Sequence, residues 1–203
     1  AYWFKTDCQT CGLSSIASNA FGANGHDRHL YLQGGNLCAR LHSTEIICTS
    51  GVNYADNAWH HVAHTFGGSS GGQRVYVDGV EKASGGKANS DFTWANRFYF
   101  GFSNDGANNY FKGLLDEIYY YHRALSADEI QSLIEPTYKD EPILNLAFEE
   151  KTTTTAGGDS TYFFDLAREQ NAFCAIGFCP TVGQTGKFGR AVRFDGNTDK
   201  AIR

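Results

Sequence analysis

A polar loop in the middle of the chain carries the side-chain types that bind sugars. It runs from residue 104 to residue 110, and its candidate ligand-binding residues are Asn104, Asp105, Asn108, Asn109 and Tyr110. Amide and carboxylate groups can hydrogen-bond sugar hydroxyls, and a tyrosine ring can stack on a sugar. Asn, Asp and Gly also favour ordinary turns. A turn without a ligand is therefore the simpler interpretation, and a glycan-binding loop is the alternative.

The acidic residues do not form the pair that a glycosidase needs. Retaining enzymes place two carboxyl groups about 5–5.5 Å apart beside one groove. The nearest candidates, Asp116–Glu117 and Glu149–Glu150, are neighbours in sequence. Adjacent residues of a strand point to opposite faces of the sheet. The sequence therefore predicts a protein that is not an enzyme.

The cysteines predict disulfides and an oxidising compartment. The six are Cys8, Cys11, Cys38, Cys48, Cys174 and Cys179. An even number without a zinc-ligand pattern favours disulfides in an extracellular or cell-surface protein. Cys38 and Cys48 flank a predicted hairpin turn at residues 42–44 symmetrically, so their side chains should face each other. The other four allow three connectivities, of which we prefer the local pairs Cys8–Cys11 and Cys174–Cys179.

Composition excludes several classes of partner. The chain has 203 residues, 41% of them hydrophobic, with 23 glycines and 14% aromatic residues, which favours short strands joined by tight turns. A net charge of −5 argues against nucleic acid, which requires a basic face. No apolar run of about 18 residues is present, so no membrane insertion is predicted. Because the chain begins at Ala1 and contains no Met, we expect it to be a piece of a longer protein.

Alternating apolar residues predict strands through most of the chain. Examples are residues 60–66, 98–102, 115–121 and 188–194. Asp78–Gly79 predicts a tight hairpin. One short helix is predicted at 127–133, because Ser126 and Glu129 form a capping box at its start.

Three motifs together resemble the laminin-G-like, concanavalin-A-like jelly-roll family. They are Trp59–Val62, Val75–Gly79 and Leu115–Ser126. The resemblance covers about residues 1–134 as the middle and end of such a domain. It implies an all-β fold: an antiparallel two-sheet jelly-roll sandwich with one short helix near the end of the domain.

The order of the segments departs from that family. Residues 143–203 resemble the opening of the domain, through Phe148–Glu149 and the Gly186–Gly196 stretch, yet they follow its end. Residues 135–142 form a connector. The opening strands must complete a sandwich somewhere, because exposed sheet edges recruit strands. They can pair within the same copy, as a circular permutation, or be donated to the next copy in a head-to-tail polymer. An excerpt from a tandem array is a third arrangement.

The resemblance also implies a structural calcium ion. In similar jelly rolls Ca²⁺ ties the opening segment to the final strand, and hard cations prefer carboxylate and carbonyl oxygens. Carried onto this chain, the metal-binding residues would be Asp116, Glu149, Glu150 and Asp165.

Two functions follow from these expectations. The first is a non-catalytic extracellular structural or adhesive module, whose partners are neighbouring repeats or copies of itself in a head-to-tail filament. The second is a calcium-dependent carbohydrate-binding module of a larger secreted protein. The second rests on the 104–110 loop and on analogy of fold, which alone does not establish function.

Overall fold

A computed structural model gives the architecture of the chain. It describes residues 1–17, 26–41, 45–90, 97–105, 107–135, 142, 144–148, 154–155, 160–163, 172–175, 177–199 and 201–202. The described strands are antiparallel and form two large sheets and one short pair. In that part of the chain, no helix is long and apolar enough to cross a lipid bilayer.

The first sheet has seven strands. In spatial order they are β16 (Thr181–Thr185), β17 (Arg190–Asp195), β10 (Lys112–Asp116), β1 (Tyr2–Lys5), β6 (Trp59–Gly67), β7 (Gly72–Val77) and β8 (Val80–Gly85). The β7–β8 hairpin turns at Asp78 and Gly79, which have φ of 51° and 78°. This confirms the predicted Asp-Gly turn.

The second sheet has nine strands. In spatial order they are β13 (Thr154–Thr155), β14 (Ser160–Phe163), β15 (Ala172–Ala175), β18 (Ala201–Ile202), β9 (Arg97–Phe100), β2 (Gly12–Ala17), β3 (His26–Gln33), β4 (Asn36–Leu41) and β5 (Glu45–Cys48). The predicted β4–β5 hairpin is confirmed, although its turn at 42–44 lies outside the described residues.

Alternating side chains of both sheets build one core. In the seven-stranded sheet, Phe4, Val62 and Leu115 are buried inward, while Leu32 and Phe100 enter the same cluster from the nine-stranded sheet. Burial of such aliphatic and aromatic surface is the main source of stability in a domain of this kind. The predicted two-layer all-β sandwich is confirmed.

Strands from the late part of the chain pair with early strands of the same chain. β17 pairs with β10, and β18 pairs with β9. β12 (Leu144–Leu146) pairs with β11 (Ile118–Tyr120) to form the short third sheet. The described strands after residue 143 that join the two large sheets therefore lie at the side of each. Donation of these strands to a neighbouring copy stays a prediction.

One predicted strand is two in the structure. We expected a continuous strand over residues 115–121, but β10 ends at Asp116 and β11 begins at Ile118 in a different sheet. Glu117 separates them with a φ of 50°, in the left-handed region that breaks a strand. The prediction was wrong because the left-handed conformation falls on a glutamate, and no glycine in the sequence indicates a break at this position.

The single described helix, α1 (Ala127–Ser132), begins as predicted. The Ser126 hydroxyl accepts from the Glu129 backbone N–H, and the Glu129 carboxylate accepts from the Ser126 N–H. Ile130 and the adjacent Leu133 pack over Ala63 and Tyr76 on the outer face of the seven-stranded sheet. The helix therefore covers an apolar patch that this sheet would otherwise expose.

Candidate functional site

The 104–110 loop is hydrogen-bonded to the first residue of β2, a strand beside the centre of the nine-stranded sheet. The Gly12 N–H donates to the Asn108 carbonyl at 2.8 Å, and the Ser103 N–H donates to the Asn109 carbonyl at 2.9 Å. A Cβ at position 12 would lie 2.3 Å from the Ser103 nitrogen. Only glycine permits this approach, so Gly12 fixes the loop on β2.

Asp105 anchors the same loop to the sheet. Its Oδ1 accepts from Arg40 Nη2 at 2.6 Å, and its Oδ2 forms an ion pair with Arg40 Nε. Ion pairs between a carboxylate and a guanidinium are strong because both partners are charged and planar. Of the predicted ligand-binding residues, Asp105 is therefore engaged within the protein.

A buried hydrogen-bond network supports that anchor. His29 Nδ1 lies 2.9 Å from Ser103 Oγ, and its Nε2 lies 3.8 Å from Asp105 Oδ1. Burial lowers the pKa of His29 to about 3, so the imidazole is neutral. The trio has the residue types of a hydrolytic triad, but Ser103 and His29 are both fully buried. The network can hold the loop, and it presents no nucleophile to a substrate.

The remaining loop residues face outward beside a group of aromatic rings. Asn108 and Asn109 are exposed, and Tyr110 is half-buried. The Tyr110 ring meets Phe102 edge-on at 5.1 Å, and Tyr99 lies 6.0 Å from Phe102. Asn104 is half-buried, and its Oδ1 has no hydrogen-bond partner among the described residues. The exposed amides of this loop therefore lie next to aromatic residues, and their binding of a ligand stays a prediction.

Sequence reasoning did not identify the residues that hold this loop. Arg40 and His29 lie on β4 and β3, more than 60 residues before Asp105. Nothing in their local sequence marks them, because their pairing depends on the register of three strands.

The predicted calcium ligand Asp116 is buried at the end of β10. Its Oδ2 accepts from the backbone N–H groups of Lys187 at 2.7 Å and Phe188 at 3.1 Å. Its Oδ1 is buried and has no hydrogen-bond partner within the described part of the chain. Burial raises the pKa of Asp116 to about 7. A free carboxylate oxygen fits a hard cation.

The rest of the predicted calcium set cannot be placed. Glu149, Glu150 and Asp165 lie outside the described residues. Among the residues that are described, no three His, Cys, Asp or Glu side chains come together as a metal site. One oxygen of the predicted set therefore fits the ion, and the donors around it stay a prediction.

The histidines of β6 have different roles. His60 is bracketed by Asp78 Oδ2 at 2.8 Å and Asp56 Oδ1 at 3.2 Å, and the hydrogen bond to Asp78 raises its pKa. His61 is buried edge-on against Trp3, with ring centroids 5.4 Å apart. His64 lies 3.1 Å from Gln73 Oε1. Each histidine has a packing or pairing role within the fold.

Two of the three preferred disulfides are present. Cys38–Cys48 joins opposed residues of β4 and β5, and Cys174–Cys179 closes a short loop. The predicted Cys8–Cys11 pair was wrong: both are free thiols. Cys11 is turned into the core with its Sγ 3.7 Å from the Cys8 carbonyl oxygen, whereas Cys8 is only half-buried. A hydrogen bond from the Cys11 thiol lowers the pKa of Cys8 to about 7.

Comparisons with known proteins agree with this architecture. The family model Laminin_G_3, described as the concanavalin A-like lectin/glucanases superfamily, matches residues 1–131. No curated protein matches the chain. One similar crystal structure is that of a protein from Bacteroides ovatus ATCC 8483, provisionally described as a carbohydrate binding protein, with a TM-score of 0.58 and 13% identity.

The alignment to that structure covers 100% of this chain and 52% of the other, so this chain spans about half of its length. At this identity the likeness concerns the fold alone. The family match ends at residue 131, within the described helix, and covers β2, β3 and β4, the three strands that hold the 104–110 loop. The chain belongs to the concanavalin A-like lectin/glucanases superfamily.

Proposed function

We propose that this chain is a non-catalytic carbohydrate-binding module. The observation that carries the proposal is the 104–110 loop, which presents the exposed amides of Asn108 and Asn109 beside the rings of Tyr110 and Phe102. Amides can donate to and accept from sugar hydroxyls at the same time. A few well-placed polar groups next to aromatic surface are typical of small-molecule binding sites.

Rigidity of the loop supports binding. Arg40, His29 and Gly12 hold its backbone and its Asp105 from beneath. A loop that is already ordered loses less conformational entropy when a ligand binds. The network thus preorganises the outward-facing amides.

The charge arrangement favours binding over hydrolysis. Asp105 is the carboxylate of this loop, and Arg40 neutralises it. A glycosidase requires one carboxylic acid and one carboxylate across the scissile bond. Asp116 and Glu117, the nearest sequence pair, are engaged elsewhere: Asp116 with the 187–188 backbone and Glu117 with the Tyr119 hydroxyl.

A carbohydrate-binding module also accounts for more of the geometry than a polymerising subunit does. Strand donation requires β12, β17 and β18 to leave the early strands with which they pair in their own chain. The two disulfides are compatible with an oxidising compartment. We therefore place the module in a secreted or cell-surface protein, where it serves attachment to glycans.

We further propose that Ca²⁺ stabilises this module through Asp116. The free Oδ1 supports the proposal, since a buried carboxylate oxygen without a partner is costly. Bound there, the ion would neutralise the buried Asp116 carboxylate at the end of β10. Glu149, Glu150 and Asp165 are the further donors that the sequence predicts.

A glycan array followed by titration calorimetry on the best neutral oligosaccharide tests the binding proposal. We expect Asn109→Ala and Tyr110→Ala each to weaken binding about tenfold, as loss of one well-formed hydrogen bond or ring contact implies. Gln184→Ala is the matched control, because it removes an amide from the seven-stranded sheet. Equal losses in the control, or no glycan bound by the folded protein, would contradict the proposal.

A further inference from the structure

A groove lies on the seven-stranded sheet, whereas the 104–110 loop is held by strands of the nine-stranded sheet. It encloses about 290 Å³ on the outer side of the seven-stranded sheet. Its lining residues are Lys5, Thr6, Asp7, Asn57, Lys112, Gly113, Leu114, Arg193 and Phe194. Three of these side chains are cationic, and the chain as a whole carries a net charge of −5. The groove therefore concentrates positive charge on an acidic protein.

Strand register brings the cations together. Lys5 on β1 lies opposite Leu114 on β10, and Leu114 lies opposite Arg193 on β17. Their neighbours Phe4, Leu115 and Val192 point into the core, so these three point outward. Two strand spacings place the Lys5 and Arg193 backbones roughly 10 Å apart. Their long side chains can converge on one group above Leu114.

The same row continues to an aromatic ring. Trp59 on β6 lies opposite Lys5 on the other side, and its side chain is half-buried. The Asn57 side chain, exposed at the rim, adds an amide. Aromatic surface, an amide and cations in one row fit a sugar polymer that carries anionic groups, because each component meets a different part of such a ligand.

The acidic groups nearby do not neutralise the groove. Asp7 pairs with Lys112 at 3.3 Å, and both side chains are more than half exposed, so water screens that pair. Asp195 accepts from the backbone N–H groups of Asn197 and Thr198 in its own turn. Among the described residues, neither Asp7 nor Asp195 forms an ion pair with Lys5 or Arg193, and both cations face the groove.

We propose that this groove binds a carboxylate-bearing oligosaccharide, with Lys5 and Arg193 holding the anionic group and Trp59 supporting an adjoining ring. The guanidinium of Arg193 suits a carboxylate, since its N–H groups match both oxygens. The site is independent of the 104–110 loop: it uses the opposite sheet and needs a charged ligand. It also straddles the two parts of the chain, because Lys5 comes from the early segment and Arg193 from the late one.

Calorimetry with an oligogalacturonate and with its neutral methyl ester tests the proposal. We expect the acid form to bind at low ionic strength, to weaken as salt is raised, and to exceed the ester in affinity. Lys5→Gln and Arg193→Gln should each weaken binding of the acid about fivefold, the effect of losing one exposed charge pair. Arg193→Lys keeps the charge and should fall between wild type and Arg193→Gln.

Lys82→Gln provides the control, because it removes one positive charge from the exposed strand β8. The proposal would be overturned if this variant lost as much affinity, or if the protein bound the ester or polyglutamate as tightly as the acid. Each of these results would show that the groove does not recognise an acidic sugar specifically. Asn109→Ala should leave acid binding unchanged. If the protein binds a neutral glycan but not the acidic oligosaccharide, only the groove proposal is contradicted. If it binds the acid but no neutral glycan, only the loop proposal is contradicted.

Discussion

The early segment, residues 1–134, and the late segment, residues 143–203, contribute to the sandwich in different ways. The early segment supplies β1–β11 and the helix, including the strands at the centre of both sheets. The late segment supplies a lateral group in each sheet: β16 and β17 in one, and β13, β14, β15 and β18 in the other. Both enter the same hydrophobic core. The two segments therefore share one core, although the family motifs lie mainly in the first.

The comparison also separates the two candidate surfaces. The 104–110 loop and its supports come entirely from the early segment. The basic groove is complete only where β17 lies beside β10. A change in the pairing of the late segment should therefore weaken ligand binding at the groove more than ligand binding at the loop.

Removal of the late segment should have the largest effect. Its described core residues include Leu144, Leu146, Phe148, Val192 and Phe194, all nearly inaccessible to solvent. At about 1.5–3 kcal/mol for each buried side chain, they contribute on the order of 10 kcal/mol before entropy is subtracted. That equals the stability of a typical domain. We expect residues 1–134 alone to be insoluble, or to be soluble but unfolded, in which case they show no cooperative transition in a thermal denaturation experiment.

A stable, cooperative monomer of residues 1–134 would contradict that expectation. Addition of residues 140–203 as a separate chain should restore folding if the segment acts by strand complementation. Mass measurement of the intact chain then distinguishes the two pairings: a ladder of oligomers indicates donation between copies, and a single monomeric species indicates pairing within one chain.

Phe194→Ala tests the packing between the two segments, where β17 lies beside β10, at a single residue. Phe194 is fully buried on β17, with its ring 6.1 Å from that of Phe111. Its loss should cost about 3–5 kcal/mol, because a cavity is left in a shared core. Urea denaturation gives the value. Phe178→Ala, at a ring that is 43% exposed, should change stability by about 0.5 kcal/mol or less.

Chelation tests the calcium proposal where the same two segments meet. If Ca²⁺ binds the free oxygen of Asp116, excess chelator should lower the melting temperature by about 5–10 °C, since a ligand of the folded state stabilises it by mass action. Asp116→Asn should melt lower than wild type in Ca²⁺ and should not respond to chelator. Identical wild-type melting curves with and without chelator would end the proposal.

The smallest effect should come from His60, which lies wholly within the early segment. Asp78, and then Asp56, raise its folded pKa above the unfolded value of about 6.5. The stabilisation is therefore fully present below about pH 6.5 and is lost as pH rises through the folded pKa. Because the side chains of Asp78 and Asp56 are nearly half exposed, water screens both pairs and we expect less than about 1 kcal/mol.

Urea denaturation of wild type and His60→Gln at pH 5.5 and pH 8.5 measures that difference, which should shrink at the higher pH. His122→Gln, which removes an exposed histidine, is the matched control. A His60 difference that grows with pH would show that the ion pairs do not stabilise the fold.

Local patterns in the sequence were sufficient for several features. Alternation of apolar residues predicted the strands, the Ser126–Glu129 pair predicted the helix start, and the symmetric turn predicted Cys38–Cys48. Each depends on residues close together in the chain. The exposed amides of Asn108 and Asn109 were likewise predictable, because polar residues in a turn usually face solvent.

Amino-acid order by itself determined the fold class and the family, and it predicted that residues 143–203 resemble the opening of such a domain. The tertiary structure decided the rest: which thiols stay free at Cys8 and Cys11, why Arg40 holds Asp105, and how Lys5 and Arg193 come to share a groove. The physical reason is register. Contacts between distant strands depend on how those strands align, and a shift of one residue would send every side chain to the opposite face.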